Sequence, residues 1–100
     1  MALLDLLGRR WTLRILWELR ADALGFRELQ ARCDGMSASV LSLRLGELRE
    51  AGLVETDDAG VNRLSRDGAA LLEALGPLDR WAKRWGAIRG GKTGTKREAF

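Results

Sequence analysis

Residues 26–54, FRELQARCDGMSASVLSLRLGELREAGLV, limit what this chain can fold into more than any other stretch, because they read as two short helices, a tight turn between them and a strand at the end. Phe26, Leu29 and Cys33 recur at helical spacing, and the run stops at Asp34-Gly35, a pair that disfavours continued helix. A second helix is expected from Ser37, whose hydroxyl can accept a hydrogen bond from a free first-turn amide, and the apolar row Leu41, Leu45, Leu48 follows at once. Ala51-Gly52 ends it. Two short helices with glycine in the turn are the sequence form of a helix-turn-helix, whose second helix can lie in a DNA major groove.

The flanking segments extend this unit. Leu3, Leu4, Leu6 and Leu7 suggest a short helix with Gly8 as a break, and a longer helix is expected between Arg9 and Arg20. In it Thr12, Ile15, Leu16 and Leu19 form the buried row, Arg10, Arg14 and Glu18 read as a solvated stripe, and Trp11 and Trp17 should pack on neighbouring helices. Residues 21–25 read as a loop. Two short runs, 53–56 and 61–65, flank the polar turn Asp57-Asp58-Ala59-Gly60 and predict a β-hairpin. A helix-turn-helix followed by a hairpin is a winged helix. Ser65 can cap a last helix, with Asp67 favourable in its first turn and Leu71, Leu75, Leu78, Ala82 and Trp85 as its apolar row. Gly76-Pro77 reads as a kink, or as the junction of two helices. Leu72, Trp81 and Ile88 add a second apolar edge, more than a core of this size needs, so part of this helix is read as a dimer seam with Leu3, Leu4, Leu7, Leu78 and Trp85.

One hundred residues with 46% apolar content suffice for one small domain. The net charge is only +3, but it is uneven: seven cations against Glu98 alone give the segment from residue 80 onward +6 and leave −3 for residues 1–79. We expect a winged-helix domain over residues 1–89 and a flexible basic tail over residues 90–100. Cys33 is the single cysteine and there is no histidine, so a disulfide framework and the common zinc sites are excluded, and no cofactor is implied. Without a histidine, a cysteine pair or a phosphate-cradling glycine loop, no enzyme activity is expected, and Asp57-Asp58 reads as turn chemistry. The N-terminal apolar run is too short for a secretory signal and no segment approaches a membrane span, so a reduced, cytoplasmic protein is expected.

The local wording resembles the HxlR-type winged-helix transcriptional regulators, relatives in fold of the MarR family. LLGRRWTLRILWEL, residues 6–19, is similar to that family's leucine-leucine-glycine-glycine-lysine-tryptophan-threonine opening, with Arg9 for the second glycine and Arg10 for the lysine. Residues 25–55 resemble its phenylalanine-x-glutamate-leucine helix, its serine turn into the recognition helix and its glutamate-alanine-glycine-leucine-valine ending, and LSRDGAALL at residues 64–72 resembles its leucine-threonine-x-x-glycine entry to the last helix. Where members commonly carry glutamines and a basic residue on the recognition helix, this chain has Ala38, Ser39 and Leu43, and its wing is cut down to an acidic turn. Some members sense oxidants through an N-terminal cysteine. Here Cys33 instead shares an apolar helix face with Phe26 and Leu29, and is read as core.

The resemblance implies a mainly α fold with a small β-hairpin, and a regulator, expected to be a repressor, that binds double-stranded DNA at a palindromic operator as a homodimer. Placing Leu41, Leu45 and Leu48 inward turns Ser39, Ser42, Leu43, Gly46 and Glu50 outward, so Ser39, Ser42 and Leu43 are the groove candidates. Arg44 flanks that face and could meet a phosphate or pair with Glu47 or Glu28. Ser37 with its first-turn amides, Arg27 and Arg63 are further phosphate candidates. The thinned groove face and acidic wing leave a second reading open, a winged-helix protein-interaction module with little DNA affinity. A third keeps Trp11, Trp17, Trp81 and Trp85 around a small-molecule effector between subunits.

Overall fold

The computed structural model describes residues 2–88 and arranges them in the order α1 (Ala2–Leu7), α2 (Thr12–Leu19), α3 (Phe26–Arg32), α4 (Ala38–Glu50), β1 (Val54–Thr56), β2 (Asn62–Leu64) and α5 (Arg66–Ile88). The proposed tail at residues 90–100 lies outside the described residues. No described helix is long and apolar enough to cross a membrane.

The core is leucine-rich and α2 is its axis. Thr12, Ile15, Leu16 and Leu19 are buried on α2, which packs against α1, α3, β2 and α5. Leu29 and Cys33 come in from α3, and Leu41, Leu45 and Leu48 from α4. The solvated stripe expected on α2 is corrected: only Arg10 is fully out. Arg14 and Glu18 keep 26% and 14% of their side-chain exposure and pair at 2.8 Å, while Arg14 Nη2 donates to the Arg32 carbonyl at 2.9 Å. A helix enclosed on several sides has no broad wet face, and those two side chains neutralise each other where α3 ends.

Local signals set the element ends. The Gly25 amide donates to Glu28 Oε1 at 3.1 Å, closing the first turn of α3. Gly35 turns the chain at φ +87°, where a side chain would strain the backbone. Ser37 Oγ accepts from the Val40 amide at 3.1 Å and caps α4 as the sequence predicts. The start of α2 is different. Trp11 holds φ +79°, a left-handed conformation rare for a bulky residue, and gives α2 no side-chain cap.

The hairpin is antiparallel, with Val54 opposite Leu64, Glu55 opposite Arg63 and Thr56 opposite Asn62. Asp57 builds its turn: Oδ1 accepts from the Ala59 and Val61 amides at 2.9 and 3.0 Å, and these bonds hold its carboxyl below the usual carboxylate value. Residues 21–25 are more than a loop. Leu24 exchanges both backbone hydrogen bonds with Asn62, at 2.9 and 2.8 Å, and buried Asn62 adds Nδ2 to the Leu24 carbonyl at 3.1 Å. The connection between α2 and α3 thus forms a one-residue third strand beside the wing.

Ser65 caps α5 by accepting from the Gly68 amide at 3.0 Å, and it donates to the Gly52 carbonyl. Buried Gly68 lies so close to β1 that a β-carbon there would sit 2.1 Å from the Leu53 carbonyl oxygen. From there α5 runs through Pro77 for 23 residues, so Gly76-Pro77 is not the junction of two helices.

Candidate nucleic-acid interface

With Leu41, Leu45 and Leu48 anchored in the core, the 100° step of an α-helix leaves Ser39, Ser42, Leu43 and Glu50 exposed on the far side of α4, with Gly46 half-buried among them. Leu43 is 55% exposed, unlike the buried leucines on either side of it. Ser37 and Ser39 stand together at the start of the helix, their hydroxyls 3.4 Å apart. Apart from Glu50 the face is uncharged, and its residues suit a major groove: short hydroxyls for base edges or phosphate and one apolar side chain for a thymine methyl.

Positive charge is arranged around that face rather than on it. Arg44, a phosphate candidate from the sequence, is half-buried and turned inward: Nε donates to the Arg10 carbonyl at 2.9 Å and Nη1 pairs with Glu47 at 3.2 Å. Glu47 is its ionic partner, while Glu28 is spent on the α3 cap. Glu47 also receives Arg9, so one carboxylate gathers two arginines and ties the α1–α2 turn to the flank of α4. The opposite flank is tied to the hairpin by Arg49, which donates to Thr56 Oγ1 at 3.2 Å. Arg63 pairs with Asp57 at 3.4 Å across the wing. Arg27 is exposed at the start of α3 and makes no ion pair among the described residues.

The remaining candidates lie apart from this face. Leu78, Trp81, Trp85 and Ile88 are 48–82% exposed along the outer half of α5, where the Trp81 and Trp85 rings stack at 5.9 Å. On α1, Leu3 and Leu4 are exposed and Leu7 packs partly on the core. Within one chain the four tryptophans lie at separate places. Trp11 lines a cleft of about 350 Å³ at the α1–α2 turn, whereas Trp17 lines another of about 360 Å³ with Arg20, Leu64, Ala69, Leu72 and Glu73. Cys33 is fully buried, and desolvation pushes its thiol up to about 11, with Glu18 adding and Arg14 opposing. At neutral pH it is a protonated core group, as its spacing with Leu29 predicts. A thiol pKa raised on folding favours the native state fully below the unfolded value of about 9, and that preference is lost as pH rises through about 11. Among the described residues no three metal-ligating side chains come together.

The sequence reading misses the turn at residues 8–11. Its contact with α4 joins residues 34 positions apart in the chain, so no periodicity announces it, and the only local hint is a pair of arginines beside a tryptophan.

Comparison with known proteins agrees with this geometry. Residues 6–89 match the family model described as HxlR-like helix-turn-helix. YvaP of Bacillus subtilis, an HTH-type transcriptional regulator, is 34% identical over 87 residues, covering 81% of this chain and 81% of its own. Among solved structures, quinone-bound YodB of Bacillus subtilis superposes with a TM-score of 0.78 at 28% identity, over 83% of this chain and 92% of that one. A possible HxlR family transcriptional factor from Thermoplasma volcanium gives 0.73 at 26% identity, over 84% and 81%.

Proposed function

The chain belongs to the HxlR-like helix-turn-helix family of DNA-binding transcriptional regulators, and from that premise we propose that it acts as a homodimeric repressor on a roughly two-fold symmetric operator. The observation that carries this reading is the outward face of α4, where Ser39, Ser42 and Leu43 stand exposed on a helix whose other side is fixed in the core. In the proposed complex these three meet base edges. Ser37 with the first amides of α4, Arg27 and Arg63 meet phosphates, and Arg44 serves the site indirectly by holding the α1–α2 turn. Selection from random duplexes at low and moderate salt tests it. Enrichment of a symmetric site with half-sites about 34 Å apart supports the reading. No enrichment at either salt would return the chain to the class of winged-helix protein-interaction modules.

The second copy is proposed to dock on the outer half of α5, with Leu3, Leu4 and Leu7 of α1 joining the seam. Leu78, Trp81, Trp85 and Ile88 are too large and too exposed for the surface of a lone domain, and two copies of such a stripe are self-complementary. Trp81→Glu is therefore expected to give a folded monomer by sedimentation and to lower operator affinity by at least tenfold. A Trp81→Glu chain that stays dimeric would remove α5 from the interface.

A small-molecule effector belongs to the same proposal. The YodB neighbour binds a quinone, and the cleft beside Trp17, between α2, β2 and α5, is within the usual size range for small ligands. Adding a quinone to the duplex titration reads it: release of DNA supports the effector, and an unchanged curve removes it.

A further inference from the structure

A helix that enters a DNA groove needs cations beside it, and α4 supplies none on its outward face. Ser39, Ser42, Leu43 and Gly46 are neutral, Glu50 is acidic, and the two arginines on its flanks, Arg44 and Arg49, are turned into bonds within the protein. The charge must come from a neighbouring element. The hairpin is fixed to one flank of α4 by Arg49, and the α1–α2 turn to the other, by Arg44 Nε to the Arg10 carbonyl and by Arg9 to Glu47.

That turn is concave and cationic. Its cleft of about 350 Å³ is lined by Leu7, Gly8, Arg9, Arg10, Trp11, Leu13 and Arg14, without a carboxylate among them. Two of its arginines have partners reaching in from outside, Glu47 to Arg9 and Glu18 to Arg14. Arg10 makes no ion pair among the described residues. It is exposed, and its guanidinium lies 5.3 Å over the Trp11 ring. The left-handed backbone at Trp11 shapes this lip, and such strain is kept where the surroundings over-determine it.

We propose that the α1–α2 turn is a second DNA contact, in which Arg10, beside the recognition helix, binds a phosphate of the duplex backbone flanking the groove. Arg9 adds a second positive charge behind it, partly offset by Glu47. This inference rests on the operator-binding reading and names a contact that reading does not contain. A phosphate contact neutralises charge without reading sequence, so it leaves a specific signature. Each such contact contributes about 0.9 to the slope of log affinity against log salt.

The test is a salt titration of the full chain on its selected operator and on a random duplex. Arg10→Ala removes one contact from each protomer of the proposed dimer, so it should weaken both duplexes by the same factor and lower the salt slope by about two. Arg10→Lys should keep the slope. Arg80→Ala, which removes the same charge from an exposed position on the outer half of α5, should leave it nearly unchanged. Melting curves identify any variant that fails to fold, and the Lys variant then still reports on the charge. An unchanged slope for Arg10→Ala, a loss confined to the operator, or an equal drop for Arg80→Ala overturns the phosphate contact while leaving operator binding intact. If the unchanged chain binds no duplex at any salt, the operator reading itself fails, and this contact with it.

Discussion

Alanine at Gly68 should cost the fold about 3 kcal/mol, read as a lower midpoint in urea with an unchanged slope. The added methyl has nowhere to go. Its carbon would lie 2.1 Å from the Leu53 carbonyl oxygen and 3.1 Å from the carbonyl carbon, both backbone atoms next to β1. Relief means moving the start of α5 away from the hairpin, which breaks the Gly68 amide bond to Ser65 and the Ser65 amide bond to Leu53, each 3.0 Å long. Gly76→Ala, in the same helix, is the control. A β-carbon there meets only the end of the Arg80 side chain, at 3.4 Å, so the better helix propensity of alanine should leave the domain unharmed or more stable by up to about 1 kcal/mol. If the two variants melt alike, the close approach at Gly68 is not a constraint.

The second large effect separates two leucines two positions apart on α4. Leu41 is fully buried in the core between the helices, and Leu41→Ala should destabilise by about 2–5 kcal/mol through lost burial and the cavity left behind. Leu43 is 55% exposed, and Leu43→Ala should shift stability by less than about 0.5 kcal/mol. Its effect belongs to DNA: loss of a thymine-methyl contact should cost about 1 kcal/mol of operator affinity and relax preference at one base pair. Chemical denaturation and operator titration of both chains check this together. A Leu43→Ala chain that loses stability as Leu41→Ala does would mean that the groove face of α4 is packed against protein.

Much of the framework is legible before any coordinates, and the reason is locality. The caps of α4 and α5 are single serines whose hydroxyls reach an amide three residues on, at 3.1 and 3.0 Å. The row Leu41, Leu45, Leu48 is a helix period, and Asp57 with Gly60 is turn chemistry. The same locality explains the corrections. Whether Arg14 and Glu18 face water depends on where α3 ends, and Arg32 lies 18 residues beyond Arg14. Whether Arg44 meets DNA or its own chain depends on a carbonyl 34 residues away. Gly76-Pro77 leaves two readings open by sequence, and α5 continues through it as one helix. The groove candidates were the easier part, since the exposed face of a helix follows from its buried face. The turn beside them was invisible because nothing in a run of eleven residues says which helix it will lean on.

The bridge between Leu24 and Asn62 bears on how the domain breathes. A two-stranded wing on its own is marginal in water. Here its second strand exchanges two backbone bonds with the connection between α2 and α3, and the buried Asn62 amide adds a third from its side chain. The strand can therefore not peel away without unseating the start of the helix-turn-helix, and the two regions share one opening event. Amide exchange at Leu24 and Asn62 then proceeds through the same cooperative unit, and the wing is presented to its partner as a fixed edge of the helical body rather than as a flap.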